Sequence, residues 1–149
     1  SMSGWRLGFA VGPENLIKKM GLLFQTIFSC LPPFLQMGGI AALKGDDNFL
    51  SQRTDILKRR RDTLVNGLNS IPKISCKMPE GAFYAFANIS ETGLTGFDFC
   101  EMLLEKTGVC LCPGECFGEF GNGYVRLSYA NVEIQFIEGA IEMVREILK

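Results

Sequence analysis

The spacing of apolar residues changes near Ile71, and this change constrains the fold more than any other feature of the chain. Before it, apolar residues recur at helical intervals. After it, short apolar runs are bounded by turn residues and separated by two further helical stretches. The pattern predicts helices over 16–28, 34–44, 46–70, 97–106 and 133–148, and strands over 74–78, 82–89, 109–112 and 124–129.

The order of these elements predicts the fold class. From residue 71 the chain reads strand–strand–helix–strand–strand–helix, which is typical of an α+β domain with a mostly antiparallel sheet and helices packed on one face. The helix over 46–70 is polar with a narrow apolar stripe, as expected of a segment that connects two domains. The apolar run from Leu7 to Val11 ends at Gly12-Pro13 and predicts a buried strand, which would need neighbouring strands.

Composition and charge exclude several classes of function. The net charge is −1, so the chain has no electrostatic reason to bind nucleic acid or a membrane surface. The basic run Lys58-Arg59-Arg60-Arg61 precedes Asp62 and indicates the solvated face of a helix. The sequence has no uninterrupted apolar stretch of about 18 residues, so no membrane span is predicted. The six cysteines are too few for a disulfide scaffold, so we expect reduced thiols in a cytoplasmic protein.

The chain contains no histidine, which excludes histidine-based triads, metal sites and general bases within it. Cys110, Cys112 and Cys116 form a C-x-C-x3-C run without a fourth ligand at the usual spacing. We therefore expect small buried side chains here and no metal. The loop from Gly114 to Gly123 indicates a mobile rim of an active site, because no helix follows it directly as a phosphate cradle requires.

Two arginines lie within or beside predicted strands. Arg6 follows Gly4-Trp5, and Arg126 lies in the run from Gly123 to Ala130. A guanidinium in an apolar strand needs an anionic partner, because burying an unpaired charge costs several kcal/mol. One interpretation is an internal salt bridge with Asp or Glu. The other is a ligand anion, since the guanidinium fork matches carboxylate and phosphate oxygens two at a time.

Three segments resemble class I and II aminotransferases of fold type I, in the order that this family has them. The segment from Ser1 to Phe9 (SMSGWRLGF) resembles the one that follows the lysine binding pyridoxal phosphate (PLP). Pro79 to Tyr84 resembles a strand of the family's small domain. Pro113-Gly114, Phe117-Gly118 and the run from Gly123 to Ala130 resemble the segment that binds the substrate.

The resemblance implies an α/β fold in which this chain is the C-terminal part of a PLP-transferase. Residues 1–45 would end the large PLP-binding domain, 46–70 would be a long connecting helix, and 71–149 would form the small α+β domain. Arg6 would bind the cofactor phosphate, and Arg126 would bind the α-carboxylate of the substrate. Matching the family pattern places the Schiff-base lysine a few residues upstream of Ser1. Lys18 and Lys19 lie on the wrong side of Arg6 and could not replace it. The chain alone is then expected to be inactive.

The implied function is transfer of an amino group between an amino acid and a 2-oxo acid, by a homodimer. A PLP-dependent C–S lyase would use the same two arginines and stays open as an alternative. A non-catalytic module that binds anions or mediates dimerisation is the other alternative. A Ser-x-x-Lys pattern just upstream of Ser1 would favour the enzyme, and a start codon at Met2 would favour the module.

Overall fold

The computed structural model describes residues 2–149, apart from the side chain of Asp47. Ser1, the first residue of the motif around Arg6, lies outside the described residues. The chain divides into two compact units, Ser1–Asp47 and Asn48–Lys149.

The described residues of the first unit form two α-helices, α1 (Glu14–Phe28) and α2 (Pro33–Leu43), which confirm the first two predicted helices. Proline lies at the start of each, where its missing N–H removes no intrahelical hydrogen bond. None of the described residues of this unit is buried. Large apolar side chains are exposed on both helices, among them Phe28 on α1 and Phe34 on α2. Apolar surface of this extent is typical of a face that another protein surface covers.

The predicted strand over residues 7–11 is wrong. Residues 7–13 have no regular secondary structure, and Phe9 and Val11 are 77% and 88% exposed. A strand needs a neighbour to satisfy its backbone N–H and C=O groups. The described residues of the first unit supply none, since every strand begins at or beyond Ser75.

Two glycines of α2 make room for the segment that carries Arg6. A Cβ atom at Gly38 would lie 3.2 Å from the Trp5 ring, and one at Gly39 would lie 2.7 Å from Leu7 Cδ2. The side chains on either side of Arg6 therefore pack against the α2 backbone. Larger residues at positions 38 and 39 would displace them.

The second unit is built around a four-stranded sheet. Its elements follow the predicted order after the long helix: α3 (Asp47–Asn69), β1 (Ser75–Cys76), β2 (Tyr84–Asn88), α4 (Gly96–Thr107), β3 (Cys112–Pro113), β4 (Tyr124–Ser128) and α5 (Ile134–Ile147). The strand order is β1-β2-β4-β3, and each neighbouring pair is antiparallel. The predicted α+β fold is confirmed. Gly108 ends α4 with φ 74°, a left-handed conformation that favours glycine.

The core of this unit lies on one face of the sheet. Successive strand residues point to opposite faces, and Ala85, Ala87 and Val125 are buried at 0–1% exposure. The helices cover this face with buried side chains from the C-terminal half of α3 and from α4 and α5. These helical core residues are Leu64, Val65, Leu68, Phe99, Cys100, Leu103, Ile137, Ile141 and Val144.

The third strand begins later than predicted. β3 contains only Cys112 and Pro113, which pair with Arg126 and Val125 of β4, whereas the prediction was 109–112. The turn after α4 delays the strand, because the Val109 N–H donates to the Thr107 hydroxyl at 3.1 Å instead of to a neighbouring strand.

The basic run on α3 is only partly a solvated face. Lys58 and Arg59 are exposed as predicted, but Arg60 and Arg61 are half-buried. Arg60 Nη1 donates to the Ala130 carbonyl at 2.6 Å, and Arg61 Nη1 donates to the Pro79 carbonyl at 3.2 Å. These two arginines attach α3 to loops at the ends of β4 and before β2. No helix in the described part of the chain combines the length and apolarity needed to cross a membrane.

We predict that Leu103→Ala destabilises the second unit by about 2–5 kcal/mol, because it removes a fully buried side chain and leaves a cavity. Leu104→Ala is the matched control, since Leu104 is the next residue on α4 and is 51% exposed. Urea unfolding followed by circular dichroism measures both. Equal losses of stability in the two variants would contradict the assigned core.

Candidate functional site

Arg126 lies on the face of the sheet opposite the core. It follows the buried Val125 on β4, and its Cα pairs with Phe86 of β2 on one side and Cys112 of β3 on the other. The alternation along β4 thus places the Arg126 side chain, which is half-buried, outside the apolar core.

Four aromatic residues, called here the aromatic cluster, contact the Arg126 guanidinium or the rings around it: Tyr84, Phe86, Phe117 and Tyr124. The guanidinium carbon lies 4.5 Å from the Tyr84 ring centroid and 4.8 Å from that of Phe117. Phe86 stacks on Tyr124 at 5.0 Å and meets Phe117 edge-on at 6.1 Å. Cation–π contacts attract the guanidinium to these rings and leave its N–H donors available.

Arg126 has no anionic partner among the described side chains. Ion pairs of the second unit join Lys58 to Asp55, Arg61 to Asp62 and Arg145 to Glu142, and none includes Arg126. The internal salt bridge, one of the two interpretations from the sequence, is therefore not observed for Arg126 within the described residues. Its aromatic surroundings instead fit a ligand anion.

The segment from Gly114 to Gly121, the 114–121 loop, carries Phe117 to Arg126. It forms two short 3-10 turns. A Cβ atom at Gly114 would lie 2.2 Å from the Gly121 carbonyl oxygen, so the backbones meet at the base of the loop. Neither position accepts a side chain without displacing backbone.

Arg6 is exposed and lies in the first unit. It ends the short 3-10 helix Ser3–Trp5 in a left-handed conformation with φ 52°, and its Nη1 donates to the Ser3 carbonyl at 3.2 Å. No described carboxylate lies within salt-bridge distance of it. The remaining guanidinium donors can therefore bind an external anion.

The sequence pattern does not predict the aromatic cluster as a unit. Phe117 stands out as part of the loop, but Tyr84 and Phe86 have no predicted role. The signal was present in β2, where Tyr84 and Phe86 alternate with the small residues Ala85 and Ala87. Strand periodicity places the two rings on one face and the two alanines on the other.

The cysteines after α4 differ from the prediction. Cys110 and Cys116 are exposed and Cys112 is half-buried, because this segment is mostly loop, so these are not buried side chains. Among the described side chains, no group of three or more His, Cys, Asp or Glu residues is arranged to hold a metal ion. Burial on α4, aided by nearby Cys112 and Glu115, raises the pKa of the Cys100 thiol from 9.0 to about 11.

Comparison with protein-family models gives a match to "Aminotransferase class I and II" over residues 1–144. An aspartate aminotransferase from Pyrococcus horikoshii is 41% identical over 140 residues, which cover 93% of this chain and 36% of the relative. An LL-diaminopimelate aminotransferase from Oleidesulfovibrio alaskensis is 39% identical over 128 residues, covering 86% of this chain and 32% of the relative. The chain thus spans about a third of the length of these relatives.

The structure is also similar to solved structures. The crystal structure of an aromatic aminotransferase from Pyrococcus horikoshii aligns with a TM-score of 0.90 and 35% sequence identity. The alignment covers 99% of this chain and 39% of the other. The similarity extends over both units of this chain, although the chain covers only 39% of the longer protein.

We predict that the free energy of unfolding falls as pH rises from about 9 towards 11, partly because of Cys100. The unfolded thiol loses its proton near pH 9.0, whereas the folded thiol keeps it to about 11. The folded state therefore binds more protons in this window, and the stabilisation from Cys100 is present below it and lost across it.

Urea unfolding of wild type and Cys100→Ala at several pH values measures this effect. The stability difference between the two proteins should be constant from about pH 6 to 7.5, where the Cys100 thiol is protonated in both the folded and the unfolded state. It should change above about pH 9. A difference that stays constant up to pH 11 would contradict the raised pKa.

Proposed function

The chain belongs to the family of class I and II aminotransferases, and from this premise we propose that it is the C-terminal part of a PLP-dependent aminotransferase. The enzyme would transfer an amino group between an amino acid and a 2-oxo acid. The observation that carries the proposal is Arg126, which lies in the aromatic cluster without a described carboxylate partner.

Arg126 differs from the other half-buried arginines of the second unit. Arg60 donates to a backbone carbonyl, Arg61 donates to a carbonyl and a carboxylate, and Arg145 pairs with Glu142. Each thus has an internal acceptor, which reduces the cost of burying its charge. Arg126 has ring contacts instead, so its donors are free for a carboxylate that arrives with the substrate.

The proposed role of Arg126 is to bind and orient the α-carboxylate. Two parallel N–H···O hydrogen bonds would fix the plane of the carboxylate and hence the direction of the Cα–H bond. Tyr84 and Phe117 flank the guanidinium and limit its rotation. By covering part of the guanidinium, the two rings would also reduce its contact with water, which strengthens the electrostatic attraction.

Arg6 would hold the phosphate of the cofactor. Its chemistry fits that group, because the guanidinium is exposed, is held by one hydrogen bond to Ser3, and has no described acidic neighbour. Trp5 and Leu7, packed over the α2 glycines, fix the backbone on both sides of it. When bound, PLP supplies the electron sink that stabilises negative charge at the substrate Cα.

The substrate class follows from what the named relatives share. Their names refer to aspartate, LL-diaminopimelate and aromatic amino acids. All of these carry an α-carboxylate, and Arg126 would recognise this common group. The side chain of the substrate would be selected by residues other than Arg126.

The domain assignment and the assembly are parts of the same proposal. Residues 1–45 would end the large PLP-binding domain, 46–70 would connect it to 71–149, and the Schiff-base lysine would precede Ser1. A homodimer follows from the resemblance to the family. A cytoplasmic location is proposed because the six cysteines, all free in the structure, are too few for a disulfide scaffold.

We predict that a full-length version of the chain produces a 2-oxo acid from an amino acid only when an amino-group acceptor is present. Arg126→Ala should lower kcat/KM by about 30-fold or more, since loss of one partner of a buried charge pair costs about 2–5 kcal/mol. Arg126→Lys should recover little, because an ammonium lacks the planar fork.

Arg59→Ala is the matched control, as Arg59 is an exposed arginine of the same unit. Wild-type kcat/KM in Arg126→Ala would disprove the assignment of Arg126. Release of a 2-oxo acid without any acceptor would instead identify a lyase. Absence of both reactions in the wild type would favour the non-catalytic module.

We also predict that Arg6→Ala weakens PLP binding about tenfold or more, since a hydrogen bond to a charged group contributes about 1.5–3 kcal/mol. Titration of the full-length apoprotein measures the affinity. Pyridoxal, which lacks the phosphate, should bind equally to wild type and variant. Lys19→Ala removes another exposed cation of the same unit and serves as control. Equal loss of affinity for PLP and pyridoxal would rule out a phosphate contact.

A further inference from the structure

The carboxylate of Glu115 lies at the N-terminus of α4. Its Oε1 accepts a hydrogen bond from the Gly96 N–H at 2.8 Å. Gly96 is the first residue of α4, where N–H groups have no partner within the helix. The Thr95 hydroxyl caps the Asp98 N–H at 3.1 Å, so Glu115 satisfies a donor that Thr95 leaves open. The positive end of the helix dipole adds to this attraction.

The second oxygen of Glu115 is not used for hydrogen bonding. Oε2 is buried and has no hydrogen-bond partner. It lies so close to α4 that a Cβ atom at Gly96 would be 2.2 Å away. A buried carboxylate oxygen without a partner is unfavourable for the fold. Glu115 thus keeps its close contact with Gly96 although Oε2 makes no hydrogen bond there.

Glu115 and Phe117 lie in the same hydrogen-bonded turn. The Gly118 N–H donates to the Glu115 carbonyl at 3.2 Å and closes the turn in which Phe117 lies. Gly114 and Gly121 meet at the base of the loop, so residues 115–120 project from it together. Among the described hydrogen bonds, the one between Glu115 and Gly96 connects this loop to α4.

Phe117 in turn contacts the Arg126 guanidinium at 4.8 Å and the Phe86 ring at 6.1 Å. A shift of the loop away from α4 would move Phe117, and the Phe117 side of the guanidinium would become open to water. Arg126 itself makes no hydrogen bond to the loop among those described, so Phe117 is the link between the two.

We propose that Glu115 is a positioning residue for substrate binding, which holds the 114–121 loop on α4 and thereby keeps Phe117 on Arg126. This inference rests on the proposed role of Arg126 in binding the α-carboxylate. Glu115 does not touch the substrate. It acts by keeping the guanidinium in the orientation that a carboxylate needs.

The test is steady-state transamination by the full-length holoenzyme. Glu115→Ala is expected to raise KM for the amino acid about fivefold and to leave kcat within about twofold of wild type. The reason is that the substrate binds less tightly while the chemical step of the bound substrate is little changed. Phe117→Leu should have a similar effect. The double variant should have the same KM as Phe117→Leu alone. If Glu115 acts only by positioning the Phe117 ring, its loss has no further effect once that ring is absent.

Two further variants separate positioning from general destabilisation. Glu115→Gln keeps an acceptor for the Gly96 N–H and should retain a KM within about twofold of wild type. Glu115→Asp keeps the charge but is one methylene shorter, and it should raise KM as Glu115→Ala does. If Glu115→Ala does not fold, this pair still decides the question. Glu119→Gln is the control, since Glu119 is an exposed carboxylate of the same loop.

An unchanged KM in Glu115→Ala or Glu115→Asp would overturn the positioning role while leaving the proposed function intact. Additive effects of Glu115→Ala and Phe117→Leu would also overturn it, because two independent contributions would then be present. A wild-type protein that does not transaminate overturns the proposed function and this inference together.

Discussion

The alternation of side chains along β4 is the constraint on which the second unit depends. Because the strand has a period of two, Val125 enters the core and Arg126 points to the opposite face. β4 is paired on both sides, so neither residue can change face without breaking the pairing with β2 or β3. The same pairing that closes the core therefore orients the cation. The stability of the core and the proposed binding by Arg126 therefore depend on the same strand and its register.

The aromatic cluster resolves the conflict between a charged side chain and an apolar setting. Ring faces attract the guanidinium without occupying its donors, whereas a carboxylate within the fold would occupy them. Arg60, Arg61 and Arg145 show the other solution, in which donors are satisfied internally. The two kinds of arginine occur in the same unit. This difference in partners supports the proposed binding role of Arg126.

Much of the fold could be predicted from the sequence, because the spacing of apolar residues indicates local secondary structure. Every predicted helix was confirmed, and so was the order of elements after Ile71. The predicted strand over 7–11 is wrong, because a strand needs a neighbouring strand to hydrogen-bond its backbone. The described residues of the first unit provide none. The predicted burial of the cysteines is also wrong, because Cys110 and Cys116 lie in loop segments on either side of the short strand that begins at Cys112. Arg126 could be singled out, but the contacts of Phe117 and Glu115 depend on how a loop folds back, and no local pattern encodes that.

The meeting of Gly114 and Gly121 has a consequence for how such a site can evolve. Those two positions tolerate no side chain, so the base of the loop is fixed in sequence as well as in shape. Phe120, by contrast, is 90% exposed. Mutations can therefore accumulate at the tip without disturbing the base. A protein built this way can vary its exposed loop tip while the contact between the two glycines is inherited unaltered.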